Sequence, residues 1–349
     1  MPDILTNPFR GRGLASAGRS PEHDAAGVGR LLAQCPAHSP TPLADLPGLA
    51  AQIGIARLQI KDERGRMGLG SFKALGATHA IAREAADAVR DGRWDEALSG
   101  RTYIAASAGN HGLSVAAGAR VFGAMAIIYL AETVPEAFAV RLRAKGADVV
   151  RAGATYEDSL VAAEAAVAAG AGTLLSDSSW PGYEELPFRI MEGYLQLAAE
   201  TVEQIDEPPT HIFLQAGVGG LAAAVAAHAR AVWGERPTII VVEPDAAPAL
   251  IESIRAGRVV TTRGPVSAMG RLDCKTPSII ALAGLAHDAD VFVTISEDEA
   301  SLAVGALAEH GLATTPSGAA GLAAVLAARP ALGPEASVLA IVSEGPEDG

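Results

Sequence analysis

Short runs of β-branched and aliphatic residues alternate along nearly the whole chain with alanine-rich stretches of helical character, and this alternation decides the fold class. Leu58 to Lys61, Thr102 to Ala105, Met125 to Tyr129, Asp148 to Arg151, Thr173 to Leu175, His211 to Leu214, Thr238 to Val242, Asp290 to Ile295 and Ser337 to Ile341 read as strands. Most are followed by glycine-bearing turns and then helices, the pattern of an α/β chain with mainly parallel sheets. Apolar strands with polar flanks imply sheets covered by helices on both faces. A chain of 349 residues outgrows a single core, so two lobes are expected. Residues 83–185 contain their own alternating units, and a second series begins at Pro187; this predicts a smaller, mobile lobe at 83–185 inserted into a larger one made of 1–82 and 186–349. The first forty residues and the last five carry little periodicity and are expected to be loose.

Composition narrows the partners. A net charge of −13 argues against a nucleic-acid surface or attraction to an anionic membrane, and favours a small-molecule partner. The apolar runs, such as Ala124 to Ala131, are too short to cross a bilayer, and Met1 to Arg12 has no secretory pattern, so the cytoplasm is the expected location. Cys35 and Cys274 are too few and too far apart for a disulfide framework or a cysteine zinc site, and the eight histidines lack metal-ligand spacing, so no metal is expected.

Several segments carry chemistry. Lys73 lies in the small-residue run Gly68 to Ala77, which is expected to be a loop feeding a helix that begins near Ala77. Shielding from water lowers a lysine pKa and makes its amine a Schiff-base nucleophile, which makes pyridoxal phosphate the first cofactor to consider; a solvated loop lysine is the bland alternative. Ser107, Ala108, Gly109, Asn110 and His111 sit between a strand and a helix, where free backbone N–H groups favour a carboxylate such as that of an amino acid. Asn110 can also pair with a ring hydroxyl, while an ordinary Ser/Asn cap explains the same residues. Gly217, Val218, Gly219 and Gly220 turn a strand into a helix and can converge N–H groups on a phosphate. The same turn fits a dinucleotide pattern, with Glu243 at the right distance to hold a ribose, so a dehydrogenase is the rival reading. Asp177 stands among hydroxyls and aromatics in Ser176 to Glu185, as a turn former or as an acid or base. Ser317, in Thr314 to Gly321, either caps a helix or faces a bound ring.

Taken in order, Ser71-Phe72-Lys73, Ser107-Ala108-Gly109-Asn110-His111, Gly217-Val218-Gly219-Gly220 and Pro316-Ser317-Gly318 resemble the working parts of the fold type II pyridoxal-phosphate enzymes, the tryptophan synthase β and threonine dehydratase superfamily. Within it the chain is most similar to the diaminopropionate ammonia-lyases, through Thr41-Pro42-Leu43, Ile60-Lys61-Asp62-Glu63, Asp177 to Glu185, Ile190-Met191-Glu192-Gly193-Tyr194, Met269 to Cys274 and Ser343-Glu344-Gly345. The resemblance covers roughly residues 38–346. It implies that Lys73 holds pyridoxal phosphate, Phe72 borders the ring, Asn110 contacts the ring hydroxyl, Gly217 to Gly220 hold the phosphate and Ser317 faces the pyridine nitrogen. It implies too that Asp177 transfers protons, that residues 107–111 dock a small amino-acid substrate, and that the protein is a homodimer. The implied reaction is an α,β-elimination, most simply of 2,3-diaminopropionate to pyruvate and ammonia, with serine, threonine or 3-hydroxyaspartate as alternatives. One departure matters: ammonia-lyases of this type commonly have Asp where this chain has Ala108, and a methyl group can neither exchange a proton nor pair with an ammonium. A non-catalytic amino-acid-binding protein on the same scaffold is a further alternative.

Overall fold

Alternate residues of the central strands point to opposite sides, and each side has its own apolar core. Ile212, Leu214, Ile239, Val241, Leu339 and Ile341 enter one cluster, while Phe213, Ile240, Val242, Val338, Ala340 and Val342 enter the other. Strands buried on both faces in this way require helices above and below. The structure, a computed structural model, describes residues 3–15, 18–107, 109–328 and 330–346. The first part of the chain runs β1 (Ile4–Thr6), α1 (Ala26–Leu32), β2 (Leu43–Asp45), α2 (Pro47–Ile53), β3 (Arg57–Asp62) and α3 (Lys73–Ala88). A compact series follows: β4 (Thr102–Ala106), α4 (Asn110–Val121), β5 (Met125–Leu130), α5 (Glu136–Ala144), β6 (Asp148–Arg151), α6 (Tyr156–Ala168) and β7 (Thr173–Leu174). The remainder comprises α7 (Glu185–Gln204), β8 (His211–Gln215), α8 (Gly220–Trp233), β9 (Thr238–Pro244), α9 (Ala249–Ala256), α10 (Ile279–Asp288), β10 (Val291–Ile295), α11 (Glu297–Glu309), α12 (Pro316–Leu326) and β11 (Ser337–Val342).

Two sheets result. The larger has the order β1-β10-β9-β8-β11-β3-β2, parallel except for its antiparallel edge strands β1 and β2; the smaller, β6-β5-β4-β7, is wholly parallel. In the larger sheet the chain moves from β8 outward through β9 and β10, then returns on the other side of β8 as β11. Carboxyl ends of strands at such a reversal frame a crevice suited to a ligand. The turn after β8, the segment after β11 and the loop after β3 all open there. Helix α3 packs against both α4 and α7 and so spans the two sheets.

Two expectations are corrected here. Residues near the amino end are docked rather than loose: the Asn7 side chain donates to the carbonyls of Leu285, Ala286 and Ala289, and Arg10 pairs with Glu235 and Asp290. Helix α3 begins at Lys73 itself, not near Ala77. No helix among the described residues is long and apolar enough to cross a membrane.

Candidate active site

The loop before α3 is pinned to the segment after β11. Phe72 N–H donates to the Ser343 carbonyl at 3.0 Å, Gly345 N–H to the Gly70 carbonyl at 2.9 Å, and Ser71 bridges Glu344. These bonds aim Lys73, the first residue of α3, into the crevice. Its Nζ donates to Asp177 Oδ2 and lies 5.1 Å from the Phe72 ring centre and 5.6 Å from that of Tyr194. The expected lowering of the lysine pKa is overturned: burial pulls in that direction, but the charge of Asp177 outweighs it and the ammonium is favoured. The same pairing holds the Asp177 carboxyl well below its usual range, against the upward push of burial.

His111, in the first turn of α4, donates from Nε2 to the Leu175 carbonyl at 2.8 Å; burial lowers its pKa and keeps the ring neutral, with Asp177 and Lys73 acting in opposite senses. Ser107 is occupied locally: its hydroxyl accepts from Gly109 N–H at 3.2 Å and Gly112 N–H at 3.1 Å, as a residue capping the start of α4 does. Ala108 lies outside the described residues. Asn110 Nδ2 donates to Glu344 Oε2 at 2.6 Å.

After β8, Gly219 adopts a φ of +99°, a conformation glycine takes without strain, and α8 starts at Gly220. A Cβ on Gly217 would sit 3.0 Å from Cys274 Sγ and 3.1 Å from the Arg271 carbonyl, so any side chain there would push the 271–274 segment back by a few tenths of an ångström. The Val218 carbonyl accepts from Ser278 N–H at 3.0 Å. Burial, with Asp177 adding to it, pushes the Cys274 thiol up to about 12 and leaves it neutral. The Tyr194 ring joins this turn to the lysine: it lies 4.9 Å from the Phe72 ring, and a Cβ on Gly220 would be 3.4 Å from its Cε2.

Ser317 lies in the first turn of α12, but the cap is Thr315, whose hydroxyl accepts from Gly318 N–H at 3.0 Å. Ser317 Oγ accepts from Arg271 N–H at 3.2 Å, which leaves its own proton available for donation. Beside Asn110, Arg64, Arg141 and Arg271 border a cavity of about 200 Å³. Glu243 is absent from this assembly. Both its oxygens accept from the first turn of α9, from Leu250 N–H at 2.7 Å and Ile251 N–H at 2.8 Å, so it is a buried helix cap and not a ribose ligand.

The model of the family described as "Pyridoxal-phosphate dependent enzyme" matches residues 35–344. The chain belongs to the pyridoxal-phosphate dependent enzymes. Within them it belongs to the diaminopropionate ammonia-lyase family, being 32% identical to the enzyme of that name from Salmonella typhimurium over 75% of this chain and 70% of the relative. The crystal structure of the Escherichia coli diaminopropionate ammonia-lyase in complex with an aminoacrylate-PLP azomethine reaction intermediate superposes with a TM-score of 0.88 at 29% identity, covering 99% of this chain and 94% of that one. The same Escherichia coli enzyme in complex with D-serine gives the same score and coverage. The protein is thus a lyase of the two-lobed fold type II, with pyridoxal phosphate as the family's cofactor.

The crevice suits that cofactor. Among the described residues, Ser71 Oγ, His111 Nδ1 and Tyr194 Oη are buried without hydrogen-bond partners, which is costly unless a polar ligand meets them. The glycine turn at the start of α8 suits a phosphate, and Ser317 has a hydroxyl proton to spare, which would fit an acceptor on the ring. Glu344, Arg271, Tyr194 and Cys274 were not singled out for chemistry in the sequence. Their motifs carried the resemblance, but only folding brings them to Asn110 and Lys73 from positions far apart in the chain.

Proposed function

We propose that this chain eliminates the β-substituent from a small amino acid, with 2,3-diaminopropionate as the first candidate. The observation that carries this reading is the Lys73–Asp177 pair, beside the touching rings of Phe72 and Tyr194, the second of which also borders the glycine turn. Diaminopropionate and one water would give pyruvate and two ammonia molecules. Pyridoxal phosphate, held by Lys73, Phe72, Asn110, the 217–220 turn and Ser317, supplies the electron sink that makes the α-hydrogen acidic. A neutral Ser317 hydroxyl at the ring nitrogen keeps that sink weak, which favours prompt loss of the β-group.

Lys73 Nζ, released to substrate, takes the α-proton. The proton then passes from Nζ across their existing hydrogen bond to Asp177 Oδ2, whose burial favours the neutral carboxyl once Nζ is uncharged. Asp177 Oδ2 is then fitted to protonate a leaving amine. The backbone N–H groups of Asn110 and His111, which open α4, with Arg141 and Arg271 at the neighbouring cavity, suit the substrate carboxylate. Residues 83–185 act as a lobe that closes on the remainder and excludes water. The neutral side chain of Ala108 favours a second reading, in which serine or threonine loses water. Acidic charge and the absence of a spanning helix among the described residues support a cytoplasmic enzyme, and a homodimer is the expected assembly.

Ammonia and 2-oxo acid release from D- and L-diaminopropionate, serine, threonine and 3-hydroxyaspartate tests the proposal. Turnover of diaminopropionate above the hydroxy amino acids is expected. Cofactor binding with no turnover of any of them would leave an amino-acid-binding protein instead.

A further inference from the structure

Glu344 is 3% exposed, and three segments converge on its carboxylate. Asn110 Nδ2 reaches Oε2 at 2.6 Å from the start of α4, the Arg271 guanidinium lies 3.1 Å from the same oxygen, and the Thr315 hydroxyl donates to Oε1. The Glu344 carbonyl accepts from Thr314 Oγ1 at 2.5 Å, and the residue's backbone bridges Ser71, two positions before Lys73. One buried side chain therefore touches the asparagine loop and the cap of the helix that carries Ser317, and its backbone holds the lysine loop.

We propose that Glu344 is a positioning residue that fixes which end of the Asn110 amide is presented to the cofactor ring. This rests on the cofactor placement in the preceding section. An asparagine amide can turn either its oxygen or its NH2 group toward a partner, and the two ends have opposite hydrogen-bonding character. A carboxylate paired with Arg271 only accepts, so it selects the NH2 end. The second hydrogen of that NH2 group is then the one left for the ring oxygen. The same carboxylate holds Thr315, which caps α12 and so fixes the turn bearing Ser317. A single acid thus sets the two groups that address the ring oxygen and the ring nitrogen. Its role is orientation, and it exchanges no proton with substrate.

The test uses the full-length protein with added pyridoxal phosphate, comparing wild type with Glu344→Met, Glu344→Gln, Asn110→Ala and Asn110→Ala/Glu344→Met. The readouts are the ratio of the near-ultraviolet to the visible absorbance band across pH, which reports where the ring-oxygen proton resides, and cofactor affinity by titration. Glu344→Met keeps the bulk and removes the acceptor. It should shift the band ratio's pH midpoint by about one unit in the direction that Asn110→Ala shifts it, and weaken cofactor affinity about tenfold. The double variant should go no further than Asn110→Ala alone, because the two residues act as one unit. Glu344→Gln, which keeps an acceptor oxygen in place, should stay within about twofold of wild type in affinity and hold the midpoint. A Gln variant that behaves like Asn110→Ala would overturn the assignment even if the Met variant folds poorly. So would additive shifts in the double variant. Wild-type protein showing no visible band would instead sink the cofactor placement, a separate outcome from a wild-type band that Glu344 substitutions leave untouched.

Discussion

Two lysines with acidic partners, Lys61 and Lys73, lie on either side of one loop, and their surroundings could hardly differ more. Lys61 Nζ spends all three of its hydrogens, on the Thr41 carbonyl at 2.8 Å, Gln204 Oε1 at 2.9 Å and Glu200 Oε2 at 3.0 Å. Around it Arg66 bonds both Glu63 and Glu200, and Thr41 donates to Glu63 at 2.6 Å, so that each charge in the group has an opposite neighbour. Burial lowers the Lys61 pKa, with Glu200 and Glu63 resisting. Lys73 has Asp177 and two ring faces, and both members of the pair keep 21% of their side-chain surface open, against 0% and 2% for Lys61 and Glu200. A saturated lysine can only hold elements together: here β3, α7 and the 39–41 segment. An amine with donors to spare and an opening to solvent can change partners, as a covalent cofactor site requires.

The contrast breaks most visibly if the two lysines are exchanged in role. Lys73→Ala should abolish turnover and the visible absorbance of bound cofactor while leaving the far-ultraviolet circular dichroism intact; residual turnover would remove the amine from the chemistry. Glu200→Ala should have the reverse profile. It leaves Lys61 in the interior without its ion-pair partner and Arg66 with Glu63 alone, and should cost about 3–5 kcal/mol in denaturant unfolding, with the remaining folded enzyme still binding cofactor.

Asp177→Asn sharpens the comparison on the catalytic side. It should slow release of an amino group by about a hundredfold or more and keep the cofactor band, as measured by coupled assay and absorbance on the same sample. Unchanged turnover would exclude this carboxyl as the acid. Acid unfolding separates the sites by pH. The Glu200 carboxyl is pulled down to about 2 from 4.5, because hydrogen bonds and charges from Arg66 and Lys61 overcome the opposing effect of burial. A depressed carboxyl gives stability that is fully present above pH 4.5 and drains away as the pH falls toward 2. Glu200→Gln should flatten that limb, whereas a profile matching wild type would locate the acid sensitivity elsewhere. The smallest effect is expected from Tyr194→Phe. Its buried hydroxyl has no partner among the described residues, so the loss should alter stability by less than about 1 kcal/mol while weakening cofactor binding measurably.

Local pattern carried the fold. All nine strands read from aliphatic runs are present; those at the centre of the larger sheet are buried on both faces, which needs an unbroken apolar run and leaves a plain trace. The two that escaped, Ile4–Thr6 and Leu43–Asp45, are antiparallel edges of three residues, too short to show any period. At the site, Lys73, Asn110, the 217 turn and Ser317 were legible because each ends a strand or opens a helix in a small-residue run. Glu344 and Arg271 were not, since their work depends on pairings between residues from 29 to 234 positions apart that no local pattern records. The lysine pKa departs from its sequence expectation for the same reason: burial is readable from neighbours in the chain, but Asp177 arrives from 104 residues away.

The short strand at the amino end has a consequence for handling the protein. A parallel ladder that stopped at β10 would present a bare row of N–H and C=O groups to any passing chain. Ile4, Leu5 and Thr6 close that row by pairing with Val293, Phe292 and Val291. A version trimmed of its first dozen residues would retain the whole catalytic crevice, yet it would be sticky, prone to self-association through a sheet margin that three residues normally keep sealed.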